Sequence, residues 1–133
     1  MKLASLTLLS IAVTSSLVAT DYAAASEVTS LLSRPIPATS EREGLMVRVV
    51  LAPGEASDAH RHNAQTFVYV LSGRVAMAVN GGEDVILKAG ETFYESPDDV
   101  HTTSRNLDNE NEAVLLVFFV KEPGVAPTVP ASE

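Results

Sequence analysis

The chain has no cysteine, no tryptophan and only three histidines in 133 residues. Without cysteine there is no disulfide framework and no thiolate metal site, so a metal must be held by nitrogen or oxygen. Basic residues are also scarce: nine Lys and Arg stand against seventeen Asp and Glu, for a formal net charge of -8. The nine are scattered along the chain and form no patch, which argues against nucleic acid as a partner. There is no glycine-rich phosphate loop and no Gly-x-Ser-x-Gly elbow, and the sequence shows no internal repeat.

What is present suits one small domain. The hydrophobic fraction of 46% is enough for a single core. Met1-Lys2 is a short positive start, and Leu3 to Ala19 is apolar and uncharged, with small residues throughout. Ala23 and Ala25 then fit a small-x-small cleavage site. This is the layout of a secretory signal peptide over residues 1–25. The mature protein is expected to be exported, periplasmic or secreted, with no membrane association after cleavage.

Residues 26–44 carry Pro35 and Pro37 and read as an extended N-terminal arm, because proline disfavours helix at and before itself. From residue 45 to 121 the pattern is short strands punctuated by turns. The strands expected are Leu45–Leu51, a short one at His60–His62, Thr66–Leu71, Arg74–Val79, Glu83–Lys88, Thr92–Glu95, His101–Ser104 and Ala113–Val120. Asn80-Gly81-Gly82 is the strongest hairpin signal, since Asn and Gly tolerate the positive φ of a type I′ turn. The apolar run from Ala113 reads as a strand buried on both faces. Residues 122–133 hold three prolines and read as a flexible C-terminal tail. With no helix in the mature chain, the fold class is all-β, a sandwich or barrel.

His60 and His62 are two positions apart, so on a strand their imidazoles point to one face. His101 is the remaining histidine and follows the turn at Gly90. All the imidazole in the protein thus lies in two short stretches that can converge on one metal ion. Neutral imidazole suits zinc, iron, nickel and copper, and manganese less tightly.

These stretches resemble the motifs of the cupin superfamily, and of its small single-domain members in particular. The first family motif is Gly, five residues, His-x-His, three or four residues, Glu, six residues, Gly. Gly54, His60, His62 and Gly73 match it, while Thr66 stands at the Glu position. The second is Gly, five residues, Pro-x-Gly, two residues, His, three residues, Asn. Gly90 and His101 match, with Ser96 for the Pro, Asp98 for the Gly and Arg105 for the Asn. Pro97 and Asn106 follow one position late. The resemblance implies a jelly-roll barrel (a double-stranded β-helix) and metal ligands at His60, His62 and His101. The metal implied is one divalent transition ion, iron favoured, with manganese, nickel or zinc as alternatives.

The missing Glu leaves a site of three neutral donors, similar to the iron centres of cupin dioxygenases. A metal that keeps its full double charge suits an anionic or enolate substrate. Thr66 is expected to orient a water, and Gln65 reaches the metal only if the turn after His62 shifts the register. With Thr66 inward, Val68 and Val70 line a dry pocket, and Phe67, Tyr69 and Leu71 face outward. Cover for that outer face is expected from a homodimer, from the N-terminal arm or from the second sheet. The same parity from His101 turns Thr103 and Arg105 inward, where Arg105 would meet an anion, the alternative being an Arg at the strand end paired with Asp108 or Glu110. Tyr94 is the candidate acid–base hydroxyl. Asp98 and Asp99 read as a solvated loop or as a carboxylate behind a ligand histidine. The function expected is an exported dioxygenase acting on a small organic molecule. The alternatives are a non-catalytic metal or small-ligand binding module and a structural barrel with a decayed site.

Overall fold

The strands are written by alternation of apolar and polar side chains, and β4 (Ala64–Ser72) shows the code most plainly. Ala64, Thr66, Val68 and Val70 are buried, while Gln65, Phe67, Tyr69 and Leu71 are exposed. The computed structural model describes residues 26–36 and 41–132. The signal peptide expected over residues 1–25 lies outside the described residues.

The other strands are β1 (Glu27–Pro35), β2 (Glu43–Leu51), β3 (His60–His62), β5 (Arg74–Val79), β6 (Val85–Lys88), β7 (Thr92–Glu95), β8 (Val100–Asn106), β9 (Ala113–Lys121) and β10 (Thr128–Pro130). Among the described residues there is no helix. Two five-stranded antiparallel sheets face each other, one ordered β1-β2-β9-β4-β7 and the other β10-β3-β8-β5-β6. This is the all-β jelly-roll arrangement expected from the sequence. The core between them is built from Leu51, Val70, Val75, Met77, Leu115 and Val117, none more than 6% exposed.

Turn chemistry closes the strands as expected. Asn80 has φ 55° and Gly81 φ 71°, and the Gly82 amide donates to the Val79 carbonyl at 2.9 Å. That is the doubly positive turn whose twist matches a hairpin. Gly73 is fixed more tightly still. Its φ is 84°, and a Cβ there would meet the Ala113 backbone at 2.8 Å.

Three expectations are corrected. The C-terminal tail is not loose at Thr128–Pro130, which pairs with β3 as an edge strand. A three-residue strand inside a proline-rich stretch carries no periodicity of its own, and Pro130 is tolerated because it sits on a sheet edge. Strand β9 is buried on one face only: Ala113, Leu115, Val117, Phe119 and Lys121 are buried and the residues between them are half-exposed. Finally, the N-terminal arm runs as β1 along the outer edge of β2, and all nine of its residues are exposed. It therefore leaves the outer aromatic face of β4 uncovered, and so does the second sheet, with Phe67 47% and Tyr94 50% exposed.

Asn106 ties the end of β8 to the neighbouring loops. Its buried amide donates to the carbonyls of Ala52 at 3.0 Å and Asn111 at 2.8 Å, and its Oδ1 accepts the Asp108 amide at 3.0 Å. Asn106→Ala leaves these groups without partners in a buried corner. The expected loss is about 2–3 kcal/mol, read as a lower urea midpoint with an unchanged slope.

Candidate metal centre

The pairing of β3 with β8 sets His60 directly opposite His101. His62, two residues on from His60, turns to the same face. Ring centroids lie 4.8 Å apart for His60 and His62, 4.9 Å for His60 and His101, and 6.1 Å for His62 and His101. One ligand atom from each histidine falls within 4.8 Å of the others, so the three could hold one metal ion.

Hydrogen bonds fix two of the rings. His60 Nδ1 lies 2.9 Å from the Asp58 carbonyl, and His62 Nδ1 lies 3.1 Å from Thr128 Oγ1 and 3.3 Å from the Pro127 carbonyl. A carbonyl can only accept, so Nδ1 carries the proton in each ring and Nε2 keeps its lone pair for a metal. Both nitrogens of His101 are buried without a hydrogen-bond partner. Phe93 stacks on His101 at 6.2 Å and Phe119 packs against His62 at 5.4 Å, so carbon surrounds the imidazoles on these sides.

Burial decides the protonation states. His62 and His101 are lowered to about 4, first by desolvation and then by the neighbouring histidines, so both are neutral at physiological pH. Glu95 moves the other way, to about 7, through burial and then the charge of Asp99. Sequence reasoning missed Glu95. It ends β7 with 1% exposure, and its Oε2 lies 3.1 Å from His101 Nδ1 and 3.5 Å from His62 Nε2. One signal was available: Glu95 has the same parity as Phe93, which the centre also uses, but an acid closing the expected strand Thr92–Glu95 beside a loop reads as solvated.

The remaining candidates divide. Thr66 lines the cavity, fully buried, with its hydroxyl on the Ala64 carbonyl of its own strand at 3.4 Å. Gln65 and Tyr94 lie on the outer face, where the Tyr94 hydroxyl donates to Gln65 Oε1. Neither lines the pocket: burial alternates unbroken from His62 through Ala64 to Thr66, which turns Gln65 outward, and Tyr94 is exposed beside it. Arg105 is exposed and 3.6 Å from Asp84, not in the pocket. The reason is a bulge: β5 advances from Ala78 to Val79 while β8 steps from Thr103 to His101. The extra residue, Thr102, inverts the alternation, so Ser104 lines the pocket and Arg105 faces out. Asp99 holds the loop, accepting from the Asn80 side chain at 2.7 Å and the Ser96 amide at 2.8 Å, and these bonds keep its carboxyl below the usual range.

Comparison with known proteins agrees with this geometry. The family model described as "Cupin domain" matches residues 47–119, more than half of the chain. No curated protein matches the sequence. Among solved structures, a cupin-like protein from Thermotoga maritima is similar at TM-score 0.61 and 20% identity, over 78% of this chain and 74% of that one. The DMSP lyase DddQ from Ruegeria pomeroyi is similar at TM-score 0.58 and 18% identity, over 66% of this chain but only 43% of its own. An oxalate oxidase in complex with the substrate analogue glycolate is similar at TM-score 0.60 and 25% identity, over 80% of this chain and 55% of its own.

Two measurements follow from the geometry. In metal-free protein the His62 and His101 ring resonances should stay flat from about pH 7.5 to about pH 5.5, whereas a solvated ring titrates near 6.5. The unfolded chain takes up these protons near 6.5 and the folded chain only near 4, so each ring withdraws stability as pH falls through that window. Glu95 acts in the opposite sense, withdrawing stability as pH rises from about 4.5 to about 7. The second measurement removes residues 127–133. Loss of the Pro127 and Thr128 partners of His62 should weaken metal binding by about 10-fold or more, measured by competition with a chelating dye.

Proposed function

The chain belongs to the cupin domain family, and from that premise we propose an exported enzyme whose His60, His62 and His101 hold one divalent transition metal. Iron is the favoured ion, dioxygen the co-substrate and a small, largely apolar organic molecule the substrate. The observation that carries this reading is the composition of the cavity. It measures about 320 Å³, and its only titratable lining groups among the described residues are the three histidines and Glu95. Among the described residues no lysine, arginine or tyrosine lines it.

A reaction driven by a separate protein acid and base finds no such pair here, since Tyr94 and Arg105 point away. Chemistry must then come from the metal, and bound ferrous iron would supply electrons for oxygen activation. The chain's own residues supply the rest. Val68, Met77, Leu115, Val117 and Phe119 line an apolar wall of the cavity. Ser57 Oγ is buried in that wall without a partner, and Ser104 lines it nearby. These hydroxyls are placed to orient one polar group of an otherwise apolar ligand. The likeness to an oxalate oxidase supports oxygen chemistry, while the lack of a cationic wall argues against a small dianion as substrate.

Export rests on the charged start, uncharged apolar run and Ala23/Ala25 site of the leader. The outer face of β4, β7 and β9, with Phe67, Tyr69 and Tyr94 exposed, supports a homodimer.

The test is metal content and oxygen uptake of the chain from Ser26 onward, loaded with ferrous iron and offered diketones, thiols and other small apolar carbonyl compounds. Near one metal per chain is expected, and uptake should fall by more than about 100-fold in His60→Ala and His101→Ala, beyond the loss typical of an outer-shell change. Ligand-dependent thermal stabilisation without uptake would instead identify a binding module. In the same preparation, a mass of one chain by light scattering would overturn the dimer.

A further inference from the structure

Glu95 is a buried carboxyl that a centre of three histidines leaves unexplained. It is 1% exposed, and among the described residues no lysine or arginine pairs with it. Its Oε1 has no hydrogen-bond partner, and neither ring nitrogen of His101 has one. A carboxylate held in this way is strongly unfavourable unless a proton or a cation joins it.

The separations point to what that cation is. Two donor atoms each about 2.1 Å from one transition ion lie about 3.0 Å apart at a right angle and about 3.4 Å apart at the tetrahedral angle. Glu95 Oε2 lies 3.1 Å from His101 Nδ1 and 3.5 Å from His62 Nε2. A direct hydrogen bond would have a similar length, but His101 Nδ1 makes none, so its N–H is not aimed at the carboxylate.

We propose that Glu95 is a fourth protein ligand of the metal centre, supplying from β7 the carboxylate that the family motif places at Thr66 on β4. Thr66 and Glu95 are direct cross-strand partners and both are buried. Side chains so paired share one face of the sheet, about 5 Å apart. The carboxylate has moved one strand sideways on the same wall. This rests on the three-histidine reading of the site and replaces the carboxylate-free centre expected from the sequence. It also bears on the substrate. A doubly charged ion with one carboxylate keeps a single net charge, so a neutral or singly charged donor suffices, in keeping with a cavity that no lysine or arginine lines among the described residues. An oxygen ligand among imidazoles also tilts preference toward iron and manganese.

The experiment compares the metal-free full-length mature chain with Glu95→Gln, titrating each with cobalt(II) and recording visible absorption. A ligand role predicts at least about 10-fold weaker binding and an altered d–d spectrum in the variant. Equal affinity and an identical spectrum would overturn the proposal while leaving the three histidines as the site. Failure of the wild type itself to bind cobalt would overturn the three-histidine reading as well. Should Glu95→Gln not fold, the wild type still answers: zinc loading is expected to shift the Glu95 carboxylate ¹³C resonance, and an unmoved resonance beside shifted histidine rings would refute the assignment.

Discussion

Register between β3 and β8 is the constraint on which the rest of this structure depends. Only when His60 lies opposite His101 do three imidazoles share one face. A slip of one residue would send His60 and His62 to the other side of the sheet. Strand β3 is three residues long and pairs with β8 at only two positions. Its register is therefore held from outside as well, by β10 along its free edge and by the bonds from Asp58 and Thr128 to the rings. Bulk apolar packing alone would not specify it, because the side chains involved are polar.

The site works against the stability of the fold that carries it. Two neutral histidines and a carboxylate are enclosed between the sheets, and desolvation moves all three away from their ordinary titration ranges. The shifts have opposite signs for acid and base, as they must when burial rather than mutual pairing dominates. What offsets this is the adjacent core, where Leu51, Val70, Val75 and Met77 are at most 2% exposed. Each such side chain contributes about 1.5–3 kcal/mol by burial. The barrel can thus hold a polar cluster that a smaller core could not.

How much of this the sequence carried differs from element to element. The alternation of β4, the Asn80–Gly81 turn and the convergence of the three histidines were legible because each rests on local pattern: a period of two, a residue tolerant of positive φ, a spacing of two. Arg105 was misplaced because parity was counted through Thr102, and a bulge leaves no mark in composition. What holds Thr102 there is tertiary: its hydroxyl accepts from the Gly81 amide at 3.1 Å and donates to the Ala78 carbonyl at 3.2 Å. Glu95 was hidden for a different reason. An acidic residue beside a loop is solvated in most proteins, and only the neighbouring strand shows that this one faces Thr66.

The C-terminal segment shows how a few residues outside the recognisable motifs can belong to the chemistry. Pro127 and Thr128 have no apolar period, yet both line the cavity and both reach His62 Nδ1. Proline is tolerated at the position because it has no amide to satisfy, while its carbonyl accepts the Asn63 amide at 3.1 Å as well as the His62 ring. Threonine adds a hydroxyl at the residue directly paired with His62. Orientation of the imidazole is therefore assigned to an edge strand, while its location is assigned to the centre of the sheet through His101. Chain termini vary easily where nothing depends on them. Here the His62 ring does depend on such a segment, so residues 127–130 are part of the candidate site rather than part of its surroundings.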